Sequence, residues 1–178
     1  ALVRDAQPTG SVFPVAGNQE LVVFFSAGND GPGANTIGSP GTAKNVVTVG
    51  AAEGPRPFGA PDQCGIDNAG SDSFNDIIGF SSRGPAVDGR VKPDIVAPGT
   101  HVTGGVWQAA VVNPVSGTGL AGALYDGSGV CGGIGVAPGN RFYPPSQQWY
   151  TSSSGTSHST PMVAGGGALV RQWFINEG

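Results

Sequence analysis

The segment Ser154-Gly155-Thr156-Ser157 has the residue types of a nucleophile loop. A serine at the beginning of a helix, beside a glycine and small side chains, is well placed to attack an electrophile. The helix dipole and the unpaired N–H groups of the first turn would stabilise negative charge developing nearby. Ser157 or Thr156 could instead be only the N-cap of the helix. The pattern alone therefore leaves a catalytic and a capping role open.

A second candidate is Asn29, which follows an apolar run at residues 20–27 and precedes Asp30-Gly31. The carboxyl ends of parallel strands are where α/β sheets place their sites. An asparagine there can donate its side-chain N–H to a developing oxyanion, which contributes about 3–4 kcal/mol of transition-state stabilisation. Asn-Asp-Gly is also a common turn sequence, so a purely conformational role stays open.

Four short apolar segments are predicted to be the strands that position these residues. Residues 20–27 and 45–51 are continuous apolar runs rich in β-branched and aromatic side chains, as is typical of strands buried on both faces of a parallel sheet. Residues 77–80 and 94–97 are shorter candidates. The sequence therefore predicts a sheet in which at least two strands are central.

A helix is predicted over residues 160–176, with Pro161 in its first turn, where a missing N–H is tolerated. Gly165, Gly166 and Gly167 would each cost about 1 kcal/mol relative to alanine in the helix interior. We therefore expect this helix to pack so closely that side chains at the three positions would clash. Strands followed by a buried helix predict a doubly wound α/β fold.

The composition excludes several classes of protein. The 178 residues include 32 glycines and 15 prolines, 38% are hydrophobic and only 11% are charged, against about 25% in typical domains. A coiled coil and charge-driven disorder are thus excluded. The net charge of -4 and the scattered basic residues argue against nucleic acid as a partner. No apolar run approaches the roughly 18 residues of a membrane span, so no membrane partner is expected.

Four blocks of the sequence, in this order, resemble the subtilisin-like serine proteases (subtilases): residues 26–31 (SAGNDG), 79–85 (GFSSRGP), 92–100 (KPDIVAPGT) and 155–165 (GTSHSTPMVAG). The resemblance implies an α/β fold with part of a doubly wound parallel sheet of the subtilisin-like type. The chain departs from the family at His158-Ser159, where Met-Ala is usual, and at Met162, where histidine is usual. These departures lie beside the nucleophile position, so they bear on substrate fit more than on the chemistry.

The resemblance implies hydrolysis of a polypeptide substrate through an acyl-enzyme, with no cofactor required. Ser157 matches the family's nucleophile. Asn29 matches its side-chain oxyanion donor, and the backbone N–H of Ser157 is the expected second donor.

The same resemblance implies a primary specificity pocket. Ala27-Gly28 and residues 36–41 match two of its walls. Gly38 would keep the pocket open because it has no side chain, and Asp30 at the rim would favour a basic substrate residue. A cis peptide bond is expected at Ser39-Pro40.

The general base is missing from this constellation. A subtilase triad runs Asp, His, Ser along the chain. His101 follows a block that the family uses structurally, and His158 adjoins Ser157 on a helix, where neighbours point to different faces. We therefore expect residues 1–178 to be the carboxyl-terminal part of a catalytic domain. This part would lack the triad Asp and His, which would lie in the amino-terminal part. Such a chain would be inactive alone and would require the missing amino-terminal half as a partner.

Two other interpretations stay open. The chain could be a catalytically dead pseudoenzyme or a protein-interaction module that keeps the fold without the triad. It could also be a sedolisin-type protease, although that family places Asp at the oxyanion position, where this chain has Asn29.

Two long polar stretches, at about residues 54–76 and 103–154, are interpreted as insertions into the catalytic domain. Each contains one cysteine, and a Cys64–Cys131 disulfide is our hypothesis, against two unrelated buried thiols. Few lysines, many small polar residues and an even cysteine count favour a secreted protein. Four aspartates without an EF-hand spacing are candidates for a structural calcium site of the kind common in the family: Asp62, Asp67, Asp72 and Asp76.

Overall fold

A parallel sheet of three strands forms the centre of the fold. The computed structural model describes residues 21–55, 66–105 and 150–177. Strands β1 (Phe24–Ser26), β2 (Val47–Ala52) and β3 (Ile95–Pro98) lie side by side in the order β1-β2-β3. β2 is the central strand, in register with β1 at Phe25↔Thr48 and with β3 at Val49↔Ile95. Its burial is nearly complete because it is paired on both sides and covered by a helix.

That helix, α1 (Thr156–Glu177), packs against all three strands. The parallel sheet and its covering helix confirm the predicted α/β class. A 3-10 turn (Asn68–Gly70) precedes the segment that leads to β3.

Three of the four predicted strands are present, in shorter or slightly shifted form, but the strand predicted at residues 77–80 is wrong. Ile77 makes only an isolated antiparallel bridge to Ala52. The Ile78 N–H donates to the Ala51 carbonyl oxygen, and the Ser81 N–H donates back to the Ile78 carbonyl oxygen. The chain therefore turns across the end of β2, and the apolar residues pack there without forming a strand.

The helix begins four residues earlier than predicted, at Thr156, so Pro161 lies in its second turn and not its first. Proline has no N–H, so it cannot donate to the carbonyl four residues back, which belongs to Ser157. The helical hydrogen-bond ladder is thus interrupted at Ser157.

The predicted close packing of the three consecutive glycines holds only for Gly167. A Cβ atom there would lie 2.9 Å from Cζ of Phe24 in β1. Gly165 and Gly166 are exposed, and a Cβ atom on either would meet nothing within 4 Å. The prediction is wrong for these two because they lie on the face of α1 that is turned away from the sheet.

A second, antiparallel sheet joins β4 (Val102–Gly105) and β5 (Tyr150–Ser153), in register at Val102↔Ser153. Composition gave no signal for this pair. It brings together the two ends of the stretch predicted to be an insertion, residues 103–154, directly before the beginning of α1.

The second half of α1 exposes large apolar side chains: Leu169, Val170, Trp173, Phe174 and Ile175. Even so, among residues 21–55, 66–105 and 150–177 no helix combines the length and hydrophobicity needed to cross a membrane.

Candidate active site

Ser157 lies in the first turn of α1 with its side chain exposed. The loop before it is tied to the connection that follows β3: the Gly155 N–H donates to the Gly99 carbonyl oxygen at 2.7 Å. The His101 N–H donates to the Ser154 hydroxyl at 2.9 Å. The residue types of this loop are small because the two backbones approach closely. Its hydrogen bonds fix the position of Ser157 at the carboxyl end of the sheet.

Asn29 reaches the same helix end from the turn after β1. Its Oδ1 accepts the Thr156 N–H and the Thr156 hydroxyl, both at 3.0 Å. These two bonds identify the oxygen of the amide, so Nδ2 lies on its other side, toward Gly155. A Cβ atom added to Gly155 would lie 3.5 Å from Nδ2. No hydrogen bond between described residues uses Nδ2. The donor of Asn29 is thus available beside the loop that leads into Ser157.

The capping role that was the alternative for Ser157 belongs to Asn29. Asn29 receives the first N–H of α1, whereas the Ser157 hydroxyl makes no hydrogen bond to any described residue. An amide oxygen at a helix N-terminus is a favourable cap, and here it comes from a distant part of the chain.

Thr156 is a site residue that the sequence did not reveal as such. Its side chain is 1% exposed, and its hydroxyl both donates to Asn29 Oδ1 and accepts the Gly28 N–H at 3.3 Å. Gly28 has φ +108°, a conformation that L side chains rarely adopt. The Gly-Thr-Ser pattern was the available signal, but the contact partner of the threonine could not be read from it.

The expected pocket walls lie side by side. The Gly38 N–H donates to the Ala27 carbonyl oxygen at 3.0 Å, so Ala27, Gly28 and Gly38 are neighbours. The Ser39-Pro40 peptide bond is cis, as the resemblance implied. The Asp30 side chain is exposed.

Neither histidine has a hydrogen bond to Ser157 among the described residues. His101 is fully buried, and its Nε2 lies 3.4 Å from the Ile66 carbonyl oxygen. His158 is partly buried next to Ser157, and desolvation by this burial lowers its pKa below the usual value for histidine.

Two of the aspartates considered for calcium, Asp72 and Asp76, lie near Glu53, and oxygen atoms of the three carboxylates are within 4.8 Å of one another. Oxygen ligands suit calcium, which takes about six to eight of them. Glu53, however, is 7% exposed and its Oε2 already accepts the N–H groups of Asp72 and Ser73. This use of Glu53 in holding the loop is a structural role, and the calcium site stays a prediction.

Three further predicted positions, Asp62, Cys64 and Cys131, lie outside the described residues. The Cys64–Cys131 disulfide therefore stays a hypothesis.

Asp67, the remaining aspartate considered for calcium, has a structural role: its carboxylate caps the 3-10 turn by accepting the Gly70 N–H at 3.1 Å.

An apolar cavity of about 360 Å³ lies between the start of β1 and the middle of α1. It is lined by Leu21, Val22, Phe24, Ala164, Gly167, Ala168 and Arg171. None of the candidate site residues lines it, so this cavity is not the expected specificity pocket.

The sequence of the chain is similar to those of several known proteins. A sequence profile of the Subtilase family matches residues 6–177. The serine protease AprX of Bacillus subtilis is 32% identical over 152 residues, which cover 85% of this chain and 26% of AprX. Pyrolysin of Pyrococcus furiosus is 44% identical over 87 residues, which cover 44% of this chain and 6% of pyrolysin.

A solved structure, the S41 psychrophilic protease, aligns with 81% of this chain and 31% of its own, at 23% identity and a TM-score of 0.40. Such a score is too low to assign a fold by itself. The matched part of the chain spans about a quarter of AprX and a smaller share, 6%, of pyrolysin.

Proposed function

Because this chain belongs to the subtilase family, we propose that it carries the nucleophile and the oxyanion-binding side chain of a serine endopeptidase. The observation that carries the proposal is the placement of Asn29. Thr156 holds its Oδ1 with two hydrogen bonds, which leaves Nδ2 beside the loop of Ser157. The relation to AprX, which is named a serine protease, supports the same activity.

In the proposed reaction the Ser157 Oγ attacks the carbonyl carbon of a substrate peptide bond. The carbonyl oxygen becomes negatively charged and accepts hydrogen bonds from Asn29 Nδ2 and the Ser157 backbone N–H. These fixed donors stabilise the tetrahedral intermediate more than the substrate. Collapse breaks the C–N bond, releases the amine with a proton and leaves an acyl-enzyme on Ser157. Water then hydrolyses this ester, and no cofactor is needed.

The proton of the Ser157 hydroxyl must pass to a general base, and we propose that the base lies in sequence beyond these 178 residues. Two observations support this: His101 is fully buried against Ile66, and His158 makes no hydrogen bond to Ser157. The 178 residues would then be the carboxyl-terminal part of a catalytic domain with insertions at about 54–76 and 103–154. The triad Asp and His would come from its amino-terminal part.

The substrate is proposed to be a polypeptide whose residue before the cleaved bond enters a pocket walled by Ala27, Gly28 and Gly38. The hydrogen bond between Gly38 and Ala27 supports this pairing of walls. Asp30, exposed next to Asn29, would favour a basic side chain. We also propose secretion, on the grounds of composition given above.

The test is covalent labelling of Ser157 by a fluorophosphonate. It compares the 178-residue chain, the full-length protein that contains it, and the S157A variant of that protein. We expect rapid labelling of the full-length protein only. Equally rapid labelling of the 178-residue chain would overturn the proposal that the base lies elsewhere. Labelling unaffected by S157A would overturn the assignment of the nucleophile.

A full-length protein that folds, has no His and Asp in the upstream part and is not labelled would be the pseudoenzyme or interaction module. Reading the upstream sequence separates these outcomes before any protein is made.

A further inference from the structure

We propose that Ser82 is a positioning residue that holds the oxyanion donor Asn29 in place. Ser82 touches no reacting atom; it acts through the backbone of the turn that carries Asn29. The inference rests on the proposed function, because it concerns the same site.

Ser82 is bonded to the residues on both sides of Asn29. Its side chain is 1% exposed. Its N–H donates to the Gly28 carbonyl oxygen at 3.0 Å, and its hydroxyl accepts the Asp30 N–H at 3.0 Å. The residues before and after Asn29, Gly28 and Asp30, are therefore both hydrogen-bonded to Ser82, which is 52 positions from Asp30 in the sequence.

Ser82 and the turn of residues 28–31 are packed so closely that a side chain at Gly28 would clash with Ser82. A Cβ atom on Gly28 would lie 2.8 Å from the Ser82 Oγ, and Gly28 already has φ +108°. One residue beyond the turn, the Gly31 N–H donates to the Phe80 carbonyl oxygen at 2.8 Å. Phe80 and Ser82 thus hold the turn of residues 28–31 from one side, through three hydrogen bonds.

Two anchors with different functions then define the oxyanion donor. Thr156 binds the side-chain oxygen of Asn29 and sets the rotation of the amide. Ser82 binds the backbone of the residues before and after Asn29 and thereby sets the position of the Asn29 amide. An oxyanion donor stabilises charge only at hydrogen-bond distance from the developing oxygen, so displacing the turn weakens it even when Thr156 is intact.

Ser81 offers a matched control. It is also a serine, also 1% exposed, and its hydroxyl also accepts one backbone N–H at 3.0 Å, from Ala51. That partner belongs to the central strand β2 and not to the oxyanion turn. Removing the Ser81 hydroxyl leaves the buried Ala51 N–H without its partner, and removing the Ser82 hydroxyl leaves the partly buried Asp30 N–H without its own, so S81A should lose at least as much stability as S82A.

The test compares S82A and S81A in the full-length protein, with steady-state hydrolysis of a chromogenic peptide. We expect S82A to lower kcat by about 10- to 100-fold with little change in KM, as small misplacements of catalytic groups do. S81A should leave kcat unchanged while lowering the melting temperature by at least as much as S82A does. Equal kcat values for S82A and S81A would overturn the proposal.

A double variant separates positioning of Asn29 from other effects of Ser82. Once the donor has been removed in N29A, adding S82A should lower kcat no further. Independent, multiplying losses would show that Ser82 acts elsewhere and would overturn the inference. If S82A does not fold, S82C, which keeps a weaker acceptor, is compared with S81C in the same way.

The failure of this inference is distinguishable from that of the proposed function. If the wild-type full-length protein shows no Ser157-dependent hydrolysis, the proposed function fails, and with it the premise. If hydrolysis depends on Ser157 and Asn29 but not on Ser82, only the positioning role fails.

Discussion

Replacing Asn29 by aspartate should separate the observed role of this side chain in capping α1 from its proposed role in binding the oxyanion. Its Oδ1 accepts the first N–H of α1 and the Thr156 hydroxyl, both at 3.0 Å. A carboxylate keeps an acceptor in that place. It lacks the N–H donor that faces the loop before Ser157.

The stability of N29D should equal or exceed that of the wild type. Asparagine and aspartate are equally good N-caps, and a negative charge at a helix N-terminus contributes about 0.3–1 kcal/mol. N29A, in contrast, loses the acceptor altogether, which costs about 0.5–2 kcal/mol. It also leaves the buried Thr156 hydroxyl without the partner to which it donates.

The order of the activities should be different. Loss of one oxyanion donor lowers kcat by about 100- to 1,000-fold, so N29A and N29D should both fall by at least this much. N29D should be the less active of the two, because its carboxylate repels the developing oxyanion. The most stable variant is therefore predicted to be the least active.

The measurements are thermal unfolding and kcat of the full-length protein, with N29A as the control for loss of the side chain. An N29D variant that kept its kcat would refute the assignment of Nδ2 as the oxyanion donor. An N29D variant as unstable as N29A would show that Oδ1 does not cap the helix.

Three further predictions concern α1. G166A should stabilise the protein by about 0.5–1 kcal/mol because this exposed helical position has room for a side chain. G167A should be less stable than G166A, because a Cβ atom at residue 167 would crowd Phe24 and the ring would have to shift; equal effects in chemical denaturation would contradict the packing. S159A should stabilise by about 1 kcal/mol, because the Ser159 hydroxyl is fully buried and has no hydrogen-bond partner among the described residues, and a loss of stability on denaturation would reveal a partner. Burial lowers the pKa of His158, so the unfolded chain takes up a proton first and stability should fall as the pH drops from about 6.5 through the folded pKa; H158Q should show a flatter pH dependence of the melting temperature.

The central elements of the fold could be predicted because the apolar residues within each segment indicate its burial. β2 is a continuous apolar run, and α1 has the length and apolar content of a packed helix. The segment at residues 77–80 has the same apolar character, but a hydrogen bond from Ile78 to Ala51 makes it turn across the strand end. Such a tertiary contact overrides local propensity, which is why that prediction failed.

The antiparallel pair β4–β5 could not be predicted because its strands are small and polar, and each finds its partner about 50 residues away. The site divides in the same way. Ser157 and Asn29 could be singled out from neighbouring residues, since a small loop before a helix and a polar turn after a strand are local features. Thr156 and Ser82 act through hydrogen bonds that span 127 and 52 positions, which no local pattern contains.

The beginning of α1 is bonded to the loops that follow both edge strands of the parallel sheet. Asn29 follows β1 at one edge, and Gly99 follows β3 at the other, with β2 between them. The beginning of α1 is bonded to both: Gly155 donates to the Gly99 carbonyl oxygen, and Thr156 donates to Asn29 Oδ1. Gly155 and Thr156 therefore link the loops after β1 and β3, two strands that lie two strand spacings, about 10 Å, apart. Because neither anchor involves a general base, the proposed oxyanion donor is held in place independently of the residue that would activate Ser157.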